Sequence, residues 1–310
     1  MTETALGTAP PRRPPRSLTQ RLAIAFRRSE ALRGYSLLSP TLVVMALSMC
    51  APLIMMVVMS FWSQTGFEFD TTLSLKNYSE AFSSPIYEAL LLRTLKISGA
   101  CALATVLISY PMAYYVAFHV HRRKILWIIL MTLPFWTSYL LRVFAWKVVL
   151  GFNGAINSGL KVLGLIDQPL EFLLYSQDAV VITLAHAWAA FAVLPIYVSL
   201  EKIDRSLLEA SADLGNGPAA TFFRVTLPLS LPGVMAAMLL IFIPTVGDFV
   251  TPALVGGPDG LMMANIIQAQ FGKVNNWPLG AALAISMMFI VAIISLLYVW
   301  ISRQVAERFL

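Results

Sequence analysis

Six stretches of this chain are each apolar over a length that a helix needs to cross a lipid bilayer, about 20 residues. They run roughly over 37–61, 97–118, 125–150, 179–200, 231–255 and 279–301. Such segments fix the solvent before any other feature is read. Hydrophobic residues make up 58% of the 310 and charged residues 12%, whereas soluble domains are about a quarter charged. Strand-like alternation is not sustained anywhere, which favours a helical bundle over a barrel. The fold class expected is an all-α integral membrane protein with six spans.

Lysine and arginine set the orientation, because cytoplasmic loops hold the excess. Arg12, Arg13, Arg16, Arg21, Arg27, Arg28 and Arg33 precede the first span. Arg122, Arg123 and Lys124 follow the second, Lys202, Arg205 and Arg224 follow the fourth, and Arg303 and Arg308 follow the sixth. The opposite loops hold only Lys76, Lys161 and Lys273. Both termini are therefore expected in the cytoplasm, and the net charge of +6 needs no nucleic-acid partner. The chain divides into a basic tail over 1–36, a six-span membrane domain over 37–303 and a short end over 304–310. Residues 17–33 suit a helix lying on the inner leaflet, and membrane lipid is the expected surroundings. Cys50, Cys101 and three histidines lack the spacing of a metal site or a disulfide framework, and the acidic residues form no catalytic cluster.

One polar loop is unusually long for a membrane protein, about 201–230. It contains Glu209-Ala210-Ser211, then Asp213, Gly215 and Pro218, and ends on Val225 and Leu227-Pro228. Good helix formers run from Ser206 to Leu214, Gly215 allows a left-handed turn, and Pro218 stops the helix from continuing. Glu209 and Asp213 stand four apart, on one helix face. No G-x-x-x-x-G-K-[ST] nucleotide loop occurs in the chain.

This gapped pattern resembles the EAA loop of membrane subunits of ATP-binding-cassette importers. Pro134-Phe135-Trp136-Thr137-Ser138 leading to Trp146, Asn153-Gly154-Ala155-Ile156-Asn157, and Gly247-Asp248-Phe249-Val250-Thr251-Pro252 with Gly256-Gly257 resemble permeases of the spermidine/putrescine importer family. The resemblance implies a type I importer permease in the bacterial inner membrane, with no catalytic residue or cofactor of its own. ATP and magnesium would be used by two copies of a cytoplasmic ATPase subunit. The other implied partners are a second, related permease and an extracytoplasmic solute-binding protein. Glu209, Ala210, Asp213, Gly215, Leu227 and Pro228 would then couple the chain to the ATPase.

Charges at membrane depth are costly and mark pathways. Asp248 follows Pro244 and Gly247 and precedes Pro252, so the fifth span should break there, as solute-lining helices do. Its carboxylate suits an organic cation, with Trp136, Tyr139 and Phe249 offering aromatic faces. The competing account makes it a cap of the broken helix or a partner of Arg142. His186 is a further pathway candidate. Other solutes of the same importer class, such as an opine, an aminophosphonate or ferric iron, stay open. A gradient-driven carrier would not need the EAA-like loop.

Overall fold

The computed structural model describes residues 29–66 and 68–309. The proline-arginine tail and most of the expected interfacial helix at 17–33 lie outside the described residues. The chain divides into two compact units after Met55. Helix α1 (Glu30–Ser60) begins in the first of these, so residues 30–36 run into the first span as one helix.

In the second unit the end of α1 is followed by a small antiparallel hairpin, β1 (Ser63–Thr65) and β2 (Glu68–Asp70), in which Thr65 faces Glu68. Next come α2 (Lys76–Ser83), α3 (Pro85–Phe118), α4 (Lys124–Thr132), α5 (Tyr139–Val149), α6 (Ala155–Val162) and α7 (Gln177–Glu201). They are followed by α8 (Arg205–Asp213), α9 (Pro218–Val246), α10 (Met263–Ala269) and α11 (Trp277–Phe309). Five of these helices are long and apolar enough to cross a membrane, and six spans result if the bent pair of α4 and α5 counts as one.

Three of the expected spans need correction. The second begins at Pro85, not near Ile97; at 1.5 Å per residue its 34 residues reach about 51 Å, beyond a hydrocarbon core of about 30 Å. The third is not one helix. Pro134 ends α4 in a tight turn over Leu133–Trp136, Thr137 and Ser138 are extended, and α5 leaves at 84°. The fifth stops at Val246 instead of running to 255, and starts at Pro218, so the latter half of the supposed loop is its first turns. A π-helical turn over Phe222–Thr226 lies within those turns.

The core sits where α3, α7 and α9 pack together. Its closest seams are made of small side chains: Ala102 and Ala113 from α3, Ala192 from α7 and Ala237 from α9 are buried. Between apolar helices in lipid, close backbone approach and interhelical hydrogen bonds replace the hydrophobic drive. Gly233 illustrates the first, since a Cβ there would run into Ser199 and the Pro195 carbonyl of α7. Tyr110 and Ser230 illustrate the second, with hydroxyls 2.8 Å apart between α3 and α9. Ser109 adds a bond of 3.0 Å to the Ala189 carbonyl of α7. Both cysteines sit in apolar runs that suggest small core residues; Cys101 is buried in this core, but Cys50 is exposed.

Candidate functional site

Two features of the bundle are built for work: the breaks in the third and fifth spans, and the helix α8 that projects between α7 and α9.

At the first, α9 runs out at Gly247, and Asp248 and Phe249 are non-helical. The chain recovers as a π-helical turn over Pro252–Gly256. Asp248 caps that recovery: its Oδ1 accepts from the backbone N–H of Val250 at 2.9 Å and, at 3.5 Å, of Thr251. The carbonyl of Phe249 accepts from the Asn265 side chain at 2.7 Å and from the Ala253 N–H at 3.3 Å, so the backbone at the break is satisfied from inside the protein, as lipid requires. Tyr139 donates to Asp248 Oδ2 at 2.5 Å, and its oxygen lies 2.6 Å from Thr251 Oγ1.

The helix-capping account of Asp248 is thus seen directly. Pairing with Arg142 is not: the guanidinium donates to the carbonyls of Ala187 (2.8 Å), Thr137 (3.1 Å) and Phe135 (3.3 Å). Both charges nevertheless line one cavity of about 350 Å³, with Phe135, Tyr139, Trp188, Phe191 and Pro244. Asp248 therefore caps a helix and faces open space at once.

The other pathway candidates scatter. Tyr139 lines the cavity. Trp136 does not; its side chain is 86% exposed. Phe249 faces a separate apolar groove of about 630 Å³ lined by Ile267, Met287 and Val291. His186 accepts from Trp146 Nε1 at 3.1 Å and is not among the residues lining the cavity. Phe135, Trp188 and Phe191 are the aromatic walls that sequence reasoning missed. Phe135 lies beside Trp136 in the quoted motif, and Trp188 and Phe191 stand three apart on α7, the spacing of one helix face.

At α8, Asp204 supplies the N-cap, its Oδ1 accepting from the Ser206 N–H at 3.0 Å. That backbone bond holds the Asp204 carboxyl below its ordinary pKa. Glu209, Ala210 and Asp213 are exposed, and Gly215 has the left-handed φ of +83° expected for a helix terminator. Leu227 and Pro228 lie apart from this face: they are half-buried in α9, where Leu227 packs on the main core. Pro218 occupies the first turn of α9, so it starts a helix as well as ending the loop.

What anchors α8 is Ser211, third residue of the Glu-Ala-Ser motif and 5% exposed. Its hydroxyl is 2.9 Å from that of Thr221 and accepts from Asn216 at 3.2 Å, while Arg224 donates to Asn216 Oδ1 at 3.2 Å. The short helix is thus tied near its C-terminal end to α9 and exposed on its outer face.

Against known proteins, residues 37–308 match the family described as "Binding-protein-dependent transport system inner membrane component". The chain belongs to this family. It is a multi-pass component of the bacterial inner membrane, with the all-α fold of a type I permease. The chain is 35% identical to the spermidine/putrescine transport system permease protein PotB of Escherichia coli K12 over 235 residues, 76% of this chain and 85% of that protein. Its identity to PotB of Haemophilus influenzae is also 35%, over 249 residues, 80% and 86% of the two chains. Among solved structures, a bacterial ABC transporter involved in import of the acidic polysaccharide alginate superposes with a TM-score of 0.72 at 18% identity, covering 92% of this chain and 99% of that one. The MetNI methionine transporter does so with a TM-score of 0.51 at 18% identity, covering 72% and 99%. At such identities the superpositions speak for the fold alone.

Proposed function

We propose that this chain is the permease subunit of an ATP-driven, binding-protein-dependent importer of polyamines, with both termini in the cytoplasm. The likeness to the two spermidine/putrescine permeases carries the substrate class, and the Asp248 cavity supplies a chemistry that fits it. A carboxylate flanked by aromatic walls suits an ammonium group, through charge and cation-π attraction together. Energy would come from two copies of an ATPase subunit that use ATP and magnesium, docked on α8 through Glu209, Ala210 and Asp213. A second, related permease would complete the pathway, and an extracytoplasmic protein would deliver the solute.

Arg142 supports a second reading, since its guanidinium lines the same cavity. A solute carrying an anionic group beside its amine, as an opine or aminophosphonate does, would use both charges. One experiment decides between the readings. The complex is reconstituted in vesicles with its ATPase and its solute-binding protein, and ATP-dependent uptake of spermidine and putrescine is measured against zwitterionic competitors. Polyamine uptake untouched by the competitors is expected; uptake only of the zwitterions would overturn the polyamine assignment.

A further inference from the structure

Among the described residues the one ion pair joins Lys124, the first residue of α4, to Glu201, the last of α7. It is bidentate: Lys124 Nζ donates to both Glu201 oxygens, at 2.7 and 2.9 Å, and to the Ala117 carbonyl near the end of α3, at 3.1 Å. An ammonium has three protons, and here each has an acceptor. Three helix ends therefore meet at one nitrogen.

The position matters more than the bond. Only Lys202, Ile203 and Asp204 separate Glu201 from α8, and Asp204 caps α8. A displacement of α8 reaches Glu201 through three residues. On the other side of the pair, α4 has no fully buried residue along Lys124–Thr132; Met131 packs against the core and Trp127 against Tyr115 of α3. This helix leads directly to the bend, where Phe135, Tyr139 and Arg142 line the cavity.

We infer that the Lys124–Glu201 pair is a positioning link, carrying motion of α8 along α4 to the break that lines the cavity. The inference rests on the proposed importer function. Partly exposed ion pairs contribute little to stability, and the side chains here are 23% and 42% exposed. Breaking the pair should therefore spare assembly while weakening transmission.

The test uses the whole complex with Cys50→Ala and a reporter Thr137→Cys at the exposed bend. Reactivity of that thiol is compared with and without ATP in four backgrounds: unaltered, Lys124→Met, Glu201→Gln and both together. ATP should change the reactivity in the unaltered complex. The change should shrink about fivefold in either single variant, the scale of an ion pair of this exposure. The double variant should lose no more than a single one, since both break one interaction. ATP hydrolysis should persist in all four. An ATP response that survives in the single variants, losses that add, or no ATP response in the unaltered complex would overturn the link. If a single variant fails to assemble, Lys124→Arg must restore both assembly and the response, and an arginine that assembles without responding sinks the idea. None of these readouts depends on which solute is carried, so failure of the polyamine assignment would show separately, in the uptake assay.

Discussion

The Tyr139 hydroxyl donates to Oδ2 of Asp248 at 2.5 Å, joining the first residue of α5 to the first residue beyond the turn that ends α9. The two interrupted spans thus meet at their interruptions, and the Tyr139 hydroxyl bridges them with two hydrogen bonds, one to Asp248 and one shared with Thr251 Oγ1. A cavity walled by both breaks changes shape when either moves.

Asp248→Asn should separate the two duties of this carboxylate. An amide oxygen still accepts from Val250, and the Tyr139 hydroxyl can turn to Thr251 Oγ1, 2.6 Å away, so the cap survives. The charge does not. Polyamine uptake per assembled complex is expected to fall at least about tenfold, the scale of a lost charge-assisted hydrogen bond. Normal uptake per complex would leave Asp248 a cap alone.

Gly215→Val addresses α8. A Cβ at Gly215 meets no atom within 4 Å, so the cost is conformational: φ of +83° is unfavourable for a β-branched residue by roughly 1–2 kcal/mol. Membrane insertion should be normal, while uptake and binding-protein-stimulated ATP hydrolysis fall together. Full activity would make α8 a passive connector.

Orientation can be read by thiol labelling in a Cys50→Ala background. Asn157 is a poor probe, being 1% exposed, with its side chain bonded to the Gly151 carbonyl and the Leu170 N–H. Val162, 88% exposed, and exposed Lys273 serve instead, with Leu214, 83% exposed, for the opposite face. An impermeant reagent outside intact cells should label Val162→Cys and Lys273→Cys and spare Leu214→Cys. Labelling at 214 would invert the topology and remove the ATPase from α8.

Gly233→Ala should cost about 1–3 kcal/mol, the usual penalty of overpacking, because the new methyl meets the Pro195 carbonyl. Thermal unfolding of the purified complex measures it. An unchanged midpoint would mean that α7 and α9 can move apart freely.

The sequence revealed lipid as the solvent because apolarity over 20 residues is local information. It also revealed the break at Asp248, since Gly247 and Pro252 act on their own backbone. It did not show the bend after α4. Proline inside an apolar span is common, and hydropathy is blind to a change of helix direction. The cavity walls were hidden for another reason: α7 is apolar nearly all round, so no face is marked as inward, and Trp188 and Phe191 could not be told from lipid-facing residues. Trp136 rather than Phe135 was the aromatic expected near Asp248, and the tight turn over Leu133–Trp136 decides between such neighbours. Ser211 looked like one letter of a docking motif, but its burial against Thr221 makes it the root of the helix.

The bare flank of α4 makes the persistence of this subunit a matter of company. Beyond the contacts of Met131 and Trp127 within the chain, further cover for that helix would come from lipid or a neighbouring subunit, and a subunit that binds there would draw the folded form forward by mass action. Turnover in the cell should then follow the supply of neighbours: in a pulse-chase measurement, the chain made alone is cleared faster than the chain made with its companion subunits. Equal lifetimes would show that lipid by itself completes the helix.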